Sequence, residues 1–259
     1  MKVYFVGAGP SDPELLTVKA ANIMKKADVF IYAGSLINKD ILNLGKPEAL
    51  FFDSSLLSLT EIINLMVKSV KEDKIVVRLT SGEPSIYGAV LEQFIELDKQ
   101  DIDYEIVPGV SSLFAAAAAL KVELTAPGVS QTIIITRIEG RTKKPEGEEL
   151  EKIASLRGTH CYYLSVDRLD DIIKAYQKQG WPVDCPVAVI YDATGKGECI
   201  VKGNFKDILR KVQAAKIEKK AIIIIGYILE KTLKEYSKLY DSSFSHGYRG
   251  KKDSFDSCK

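Results

Sequence analysis

Apolar runs of strand length alternate with stretches of helical periodicity along most of the chain. Residues 3–6, 29–32, 49–52, 75–79 and 104–107 are short apolar segments, and they predict strands. Between them, 13–26, 59–72 and 87–99 carry apolar residues three to four positions apart and predict helices. This alternation predicts an α/β fold with a largely parallel sheet and helices on both of its faces. Asp12 and Pro13 suit an N-cap and a first helical position, with Glu14 favourable against the dipole. Residues 113–120 read LFAAAAAL, a helix with almost no side-chain bulk. The following KVELTAPGVSQ brings in Pro127 and Gly128 and marks the expected boundary between a first α/β domain, 1–122, and a second, 129–240. Past it, strands are predicted over 131–136, 161–164, 187–191, 199–202 and 221–225, and helices over 148–156, 168–179, 205–214 and 228–239. The tail 241–259, rich in Ser, Lys and Gly, is expected to be disordered.

Composition narrows the class. The 259 residues are 46% hydrophobic and 27% charged, values ordinary for a globular enzyme. A net charge of +1 provides no global field for recruiting nucleic acid or an anionic membrane, so neither is expected as a partner. No apolar run reaches the roughly 18 residues that span a bilayer, and the single Lys before the first strand does not make a signal peptide. The four cysteines form no C-x-x-C pair, which suggests a reducing compartment and a cytoplasmic location. His160 and Cys161 are adjacent, and neighbours in a strand point to opposite faces, so no metal site is expected there.

The chemistry gathers at the turns. The first strand runs into GAGPSDP, which resembles the opening of a dinucleotide fingerprint. Asp12 stands where the third glycine belongs, and Pro10 removes an N–H where a pyrophosphate would dock. Asp28 opens the second strand, whereas a ribose-binding acid would close it. A nicotinamide oxidoreductase therefore remains a lesser alternative. The fourth strand ends in SGEPSIYG and the fifth in VPGVSS, so three Gly/Pro turns follow three strands at their carboxyl ends. In an open parallel sheet that is where ligands bind.

The motifs VGAGPSDPELLTVKA, GEPSIYG and VPGVSS, in this order and spacing, resemble the tetrapyrrole (corrin/porphyrin) methyltransferase family over roughly residues 1–235. The resemblance implies two α/β domains with a cleft between them. That cleft would bind S-adenosylmethionine and a tetrapyrrole whose ring carbon is methylated. TRIEGRT, YAGSLIN and AAAAALKVELT are similar to the members acting at C-11 of precorrin-4 or cobalt-precorrin-4 in cobalamin synthesis. Another ring carbon, as in uroporphyrinogen-III, and a non-catalytic tetrapyrrole-binding role are the alternatives. Family members are usually homodimers, and that state is expected here.

Motif by motif, the resemblance implies cofactor contacts from Pro10, Gly82, Glu83, Ile86, Ser111 and Ser112. From the second domain it implies Leu164, Ala193 and Ala221. Two positions depart from the usual pattern: Ser11 replaces a glycine and Glu83 an aspartate. The acetate and propionate rim of a tetrapyrrole calls for cations, and arginine's fork suits carboxylates. Arg137 and Arg141, which bracket Glu139, and Arg78 near the end of the fourth strand are the substrate-binding candidates. Glu139 is the candidate general base, and Tyr87 is a candidate to close over the substrate. Methyl transfer from a sulfonium requires orientation rather than a covalent intermediate, and no nucleophile–base pair is expected.

Overall fold

A computed structural model describes residues 1–232, 235–238, 241 and 244–245. The tail expected over 241–259 lies almost wholly outside them. Strands β1 (Val3–Gly7), β2 (Val29–Tyr32), β3 (Leu50–Asp53), β4 (Val76–Thr80) and β5 (Tyr104–Val107) form one sheet in the order β3-β2-β4-β1-β5. Every pairing in it is parallel. One face packs Val3, Phe5, Ile31 and Val76 against helices α2 (Leu59–Lys71) and α3 (Leu91–Asp98). The other packs Val6, Phe30, Val77 and Leu79 against α1 (Val18–Met24) through Ala20 and Met24. Burial on both faces explains why β1, β2 and β4 read as apolar runs rather than alternating ones, while the edge strands β3 and β5 leave Leu50, Phe51 and Ile106 exposed.

The second sheet combines β6 (Ile133–Arg137), β7 (Thr159–Tyr163), β8 (Pro186–Tyr191), β9 (Cys199–Asn204) and β10 (Ala221–Ile225) in the order β6-β7-β10-β8-β9. Here the expectation of parallel pairing fails. Only β6 and β7 run parallel; β10 is antiparallel to β7 and β8, and β8 to β9. Residues 192–198 join β8 to β9, and so short a link makes a hairpin, not a crossover. Helices α5 (Leu150–Ser155), α6 (Leu169–Lys178) and α7 (Ile208–Ala214) cover one face of this sheet. Helix α4 (Ser112–Leu120), which follows β5, packs on the other, with Leu113, Ala115, Ala116, Ala117 and Leu120 against Cys161, Ala188, Ile190, Ile222 and Ile224. The alanine run therefore has a packing role: small side chains let the helix backbone approach the sheet closely.

Two predicted helices are shorter than their periodicity suggests. Pro13–Leu15 is a single 3-10 turn capped by the Asp12 side chain, and extended Leu16 separates it from α1. The Thr17 hydroxyl then caps α1, accepting from the Ala20 N–H at 3.1 Å. The segment over 87–99 becomes helical only at Leu91, because Tyr87 and Ala89 hold φ of +53° and +48°. Of the helix over 228–239, the described residues begin with a 3-10 turn, Tyr227–Glu230, which ends where Lys231 adopts φ of +55°; part of that prediction lies outside the described residues.

Candidate functional site

The three turns at the carboxyl ends of β1, β4 and β5 form one packed unit. Gly9 and Gly82 exchange backbone hydrogen bonds, Gly82 N–H to Gly9 at 2.8 Å and Gly9 N–H to Gly82 at 3.2 Å. A Cβ on Gly109 would overlap the Gly82 carbonyl and lie 2.8 Å from Gly7 Cα, so the turns meet backbone on backbone. One side chain fastens them: Glu83 Oε2 accepts from the Gly109 N–H at 2.8 Å, and Oε1 from the Ser85 N–H at 3.0 Å.

From there the contacts reach the second sheet. Ser111 caps α4, and its hydroxyl lies 2.5 Å from the Tyr163 hydroxyl at the end of β7. That phenol also accepts from the Leu113 N–H at 3.3 Å, and burial pushes its pKa up, so it stays protonated. On the opposite rim, the Ser11 hydroxyl bonds the Asp192 carboxylate, and the Asp12 N–H donates to Thr194 Oγ1 at 3.3 Å. Lys196 pairs with Asp40 at 3.1 Å across the same gap. Ser11 is thus a tie between the turn after β1 and the link from β8 to β9.

A cavity of about 700 Å³ lies among these groups. Pro10, Gly82, Glu83, Ile86, Ser111 and Ser112 line it from the first sheet's turns and α4. Leu164, Ala193 and Ala221 line it from the second, so all nine cofactor candidates come together around one space. Tyr87 lines it too, its ring 5.5 Å from that of Tyr163. Leu164 and Asp192, like Tyr87, hold positive φ, of +51° and +46°. Such backbone costs on the order of 1–3 kcal/mol per residue and clusters at working sites.

The volume falls in the range of small-molecule sites. The lining holds five carboxylates (Asp40, Glu83, Asp167, Asp192, Glu218) against three lysines (Lys196, Lys219, Lys220). That excess of negative charge, beside backbone turns and the small Ala193 and Ala221, fits a cation carrying a flat base and a polar chain, as S-adenosylmethionine does.

The remaining candidates lie elsewhere. Arg137 is half-buried at the end of β6, donating to the carbonyls of Ile138 and Thr142 at 3.0 Å each. Its charge reaches Tyr87, opposing the upward pKa shift that burial gives that phenol. Glu139 and Arg141 are exposed and do not line the cavity. Arg78 is placed differently from the reading that it binds substrate: it is 7% exposed, and Gln93, Ile31 and Leu79 take its hydrogen bonds. As an inner-face residue of a central strand it points into the core, and burial lowers its pKa to about 10, which leaves it charged at neutral pH.

Sequence reading missed Tyr163, Asp192 and the lysines Lys196, Lys219 and Lys220. Tyr163 directly precedes a chosen residue, Leu164, and Asp192 and Lys220 flank the chosen Ala193 and Ala221. Their position at strand ends was the available signal. No group of His, Cys, Asp and Glu able to hold a metal ion occurs among the described residues, and none of their helices is long and apolar enough to cross a membrane.

Two five-stranded sheets, with backbone turns and an acidic cavity at their strand ends, define an α/β protein with a small-molecule site. The chain belongs to the tetrapyrrole (corrin/porphyrin) methylases, whose family model matches residues 2–209. It is 52% identical over 248 residues to the cobalt-precorrin-4 C(11)-methyltransferase of Methanocaldococcus jannaschii, covering 96% of both chains. A solved cobalt-precorrin-4 methyltransferase superposes with a TM-score of 0.86 at 42% identity, over 88% of this chain and 95% of that one. A uroporphyrin-III C-methyltransferase from Thermus thermophilus, complexed with S-adenosylhomocysteine, superposes with a TM-score of 0.73 at 26% identity, over 91% and 96%.

Proposed function

We propose that this chain is an S-adenosylmethionine-dependent methyltransferase acting on C-11 of precorrin-4 or cobalt-precorrin-4 in cobalamin biosynthesis. The observation that carries this reading is the convergence of all nine cofactor candidates on one cavity. The choice of ring carbon is supported by 52% identity to the cobalt-precorrin-4 enzyme of Methanocaldococcus jannaschii, against 31% to the uroporphyrinogen-III C-methyltransferase of the same organism.

S-adenosylmethionine, when bound, supplies an electrophilic methyl group on a sulfonium. The protein's part is orientation, because reacting atoms must be held about 3–3.5 Å apart and in line. Gly82, Ser111 and Ser112 bring main-chain and hydroxyl groups to the donor, while Ala193 and Ala221 leave room for its adenosine. Glu83 acts there through the turn it locks, since both of its oxygens accept from backbone N–H groups. Tyr87 lies against the macrocycle, and Arg137 and Arg141, at the adjacent end of β6, receive its carboxylate rim. Glu139 or solvent takes the proton that the substrate loses. The division at 1–122 and 129–240 places one sheet in each domain, with the cavity as the cleft between them. The family resemblance supports a homodimer, and the thiols of Cys161, Cys185 and Cys199, free among the described residues, support a cytoplasmic location.

Labelled S-adenosylmethionine offered with cobalt-precorrin-4, precorrin-4 and uroporphyrinogen-III in parallel tests the reading. Label in the first or second alone is the expected result. Label in uroporphyrinogen-III alone would reassign the substrate.

A further inference from the structure

Arg78 is a buried cation that touches neither the cavity nor a carboxylate among the hydrogen bonds described. Its Nε donates to Gln93 Oε1 at 3.1 Å, and its Nη1 donates to the carbonyls of Ile31 and Leu79 at 3.3 Å each. Those carbonyls belong to β2 and β4, so the guanidinium is anchored to two central strands. Gln93 is itself buried, on α3, and its Nε2 donates to the Ala89 carbonyl at 2.8 Å. The chain of contacts therefore runs from the sheet, through Arg78 and Gln93, to residue 89.

Residue 89 ends a short segment whose backbone its sequence disfavours. Tyr87 and Ala89 both sit at positive φ, where a residue with a Cβ is costly by about 1–2 kcal/mol. Between them Gly88 has no room for a side chain, because a Cβ there would overlap the Pro84 carbonyl oxygen. The segment displays Tyr87, a residue 43% exposed that lines the cavity, with its ring beside that of Tyr163. If this stretch instead continued α3 backwards, the ring would be carried away from the cavity.

We propose that Arg78 and Gln93 are positioning residues for methyl transfer: together they hold the left-handed turn at 87–89 so that Tyr87 is presented to the tetrapyrrole. They touch neither substrate nor donor. Which molecule Tyr87 meets rests on the function proposed above; that the pair holds the turn does not.

Two variants separate the links. Gln93→Glu keeps an acceptor for Arg78 but cannot donate to Ala89. Gln93→Leu removes both bonds, and Arg78→Lys, a harsher change in the core, serves as a third. For Gln93→Leu the expected result is a tenfold or greater fall in kcat/KM for the tetrapyrrole, with the Kd for S-adenosylhomocysteine changed less than twofold. Adding Ala89→Gly should restore most of the loss, because glycine adopts positive φ without support. In a Tyr87→Ala background, Gln93→Leu should have little further effect on kcat/KM.

Fluorotyrosine incorporation provides a readout free of any assay of turnover. The Tyr87 fluorine resonance, assigned by its loss in Tyr87→Phe, should shift or broaden in Gln93→Leu and recover with Ala89→Gly. An unchanged resonance would overturn the brace, and so would equal losses of donor and tetrapyrrole binding or fully multiplicative effects with Tyr87→Ala. A resonance that moves as expected in an enzyme that does not methylate precorrin-4 would sink the proposed substrate and leave the brace standing.

Discussion

Glu83 Oε2 lies 2.8 Å from the Gly109 nitrogen and accepts its N–H, so one side chain locks the turn after β4 to the turn after β5. A hydrogen bond to a charged group contributes about 1.5–3 kcal/mol. Glu83→Asp shortens the arm by one methylene and separates it from Gly109. It should weaken S-adenosylhomocysteine binding about threefold to tenfold in calorimetry while leaving the local bond to Ser85 in place. Unchanged affinity would show that the turns hold their shape without this link.

The Ser111–Tyr163 contact makes a second, independent prediction. Tyr163→Phe keeps the ring and removes a hydroxyl that serves both Ser111 and the Leu113 N–H. A net loss of about 1 kcal/mol in stability is expected from a lost buried hydrogen bond. Because α4 begins at this point, donor affinity should fall as well, by about tenfold. Chemical denaturation and calorimetry on the same variant read the two effects separately.

Much of this fold was legible because its strands are short apolar runs, buried on both faces at the centre of each sheet and half-exposed at its edges. β2, β5 and β10 fall on the residues expected, since an apolar run between polar boundaries needs no knowledge of pairing. The direction of pairing was a harder matter. The link 192–198 is hairpin-length, and that clue was available, but the alternation of strands and helices outweighed it. The helix over 87–99 failed at its start because apolar spacing is blind to φ, and the left-handed residues Tyr87 and Ala89 carry no compositional mark. The candidates Pro10, Gly82 and Glu83, which line the cavity, sit at turns, where glycine and proline are informative. The ties across the cavity, Ser11–Asp192 and Ser111–Tyr163, join residues too far apart in sequence for pattern to connect.

His160 is fully buried in β7 beneath Tyr176 and Trp181, and neither of its ring nitrogens has a hydrogen-bond partner among the described residues. Burial lowers its pKa to about 4 from 6.5. Below pH 6.5 the unfolded chain takes up a proton that the folded one refuses, so stability falls as pH drops from about 6.5 towards 4. The linked loss amounts to roughly 3 kcal/mol at 1.36 kcal/mol per unit. Glu105, held to about 2 chiefly by its hydrogen bond from Lys19, and Glu149, held to about 2 chiefly by the Gly147 N–H, contribute only below about 4.5. His160→Phe should therefore flatten urea-derived stability between pH 6.5 and 4.5; an unaltered slope would assign it to other groups.

Arg137 holds the loop 138–142 by two carbonyls and sits close enough to Tyr87 to act on its phenol. If that edge receives the substrate's carboxylates, Arg137→Ala should raise KM for the tetrapyrrole at least tenfold and leave KM for S-adenosylmethionine within twofold. Raising ionic strength should reproduce part of the effect in the parent enzyme, since exposed charge pairs are screened by salt.

The most direct test of the whole account is to supply S-adenosylmethionine carrying a ¹³C-methyl group together with cobalt-precorrin-4, and to locate the label in the product by NMR. The account predicts one new methyl resonance, coupled to C-11, with an equivalent of S-adenosylhomocysteine released. A methyl group on any other ring carbon, or no transfer by folded protein, would contradict it.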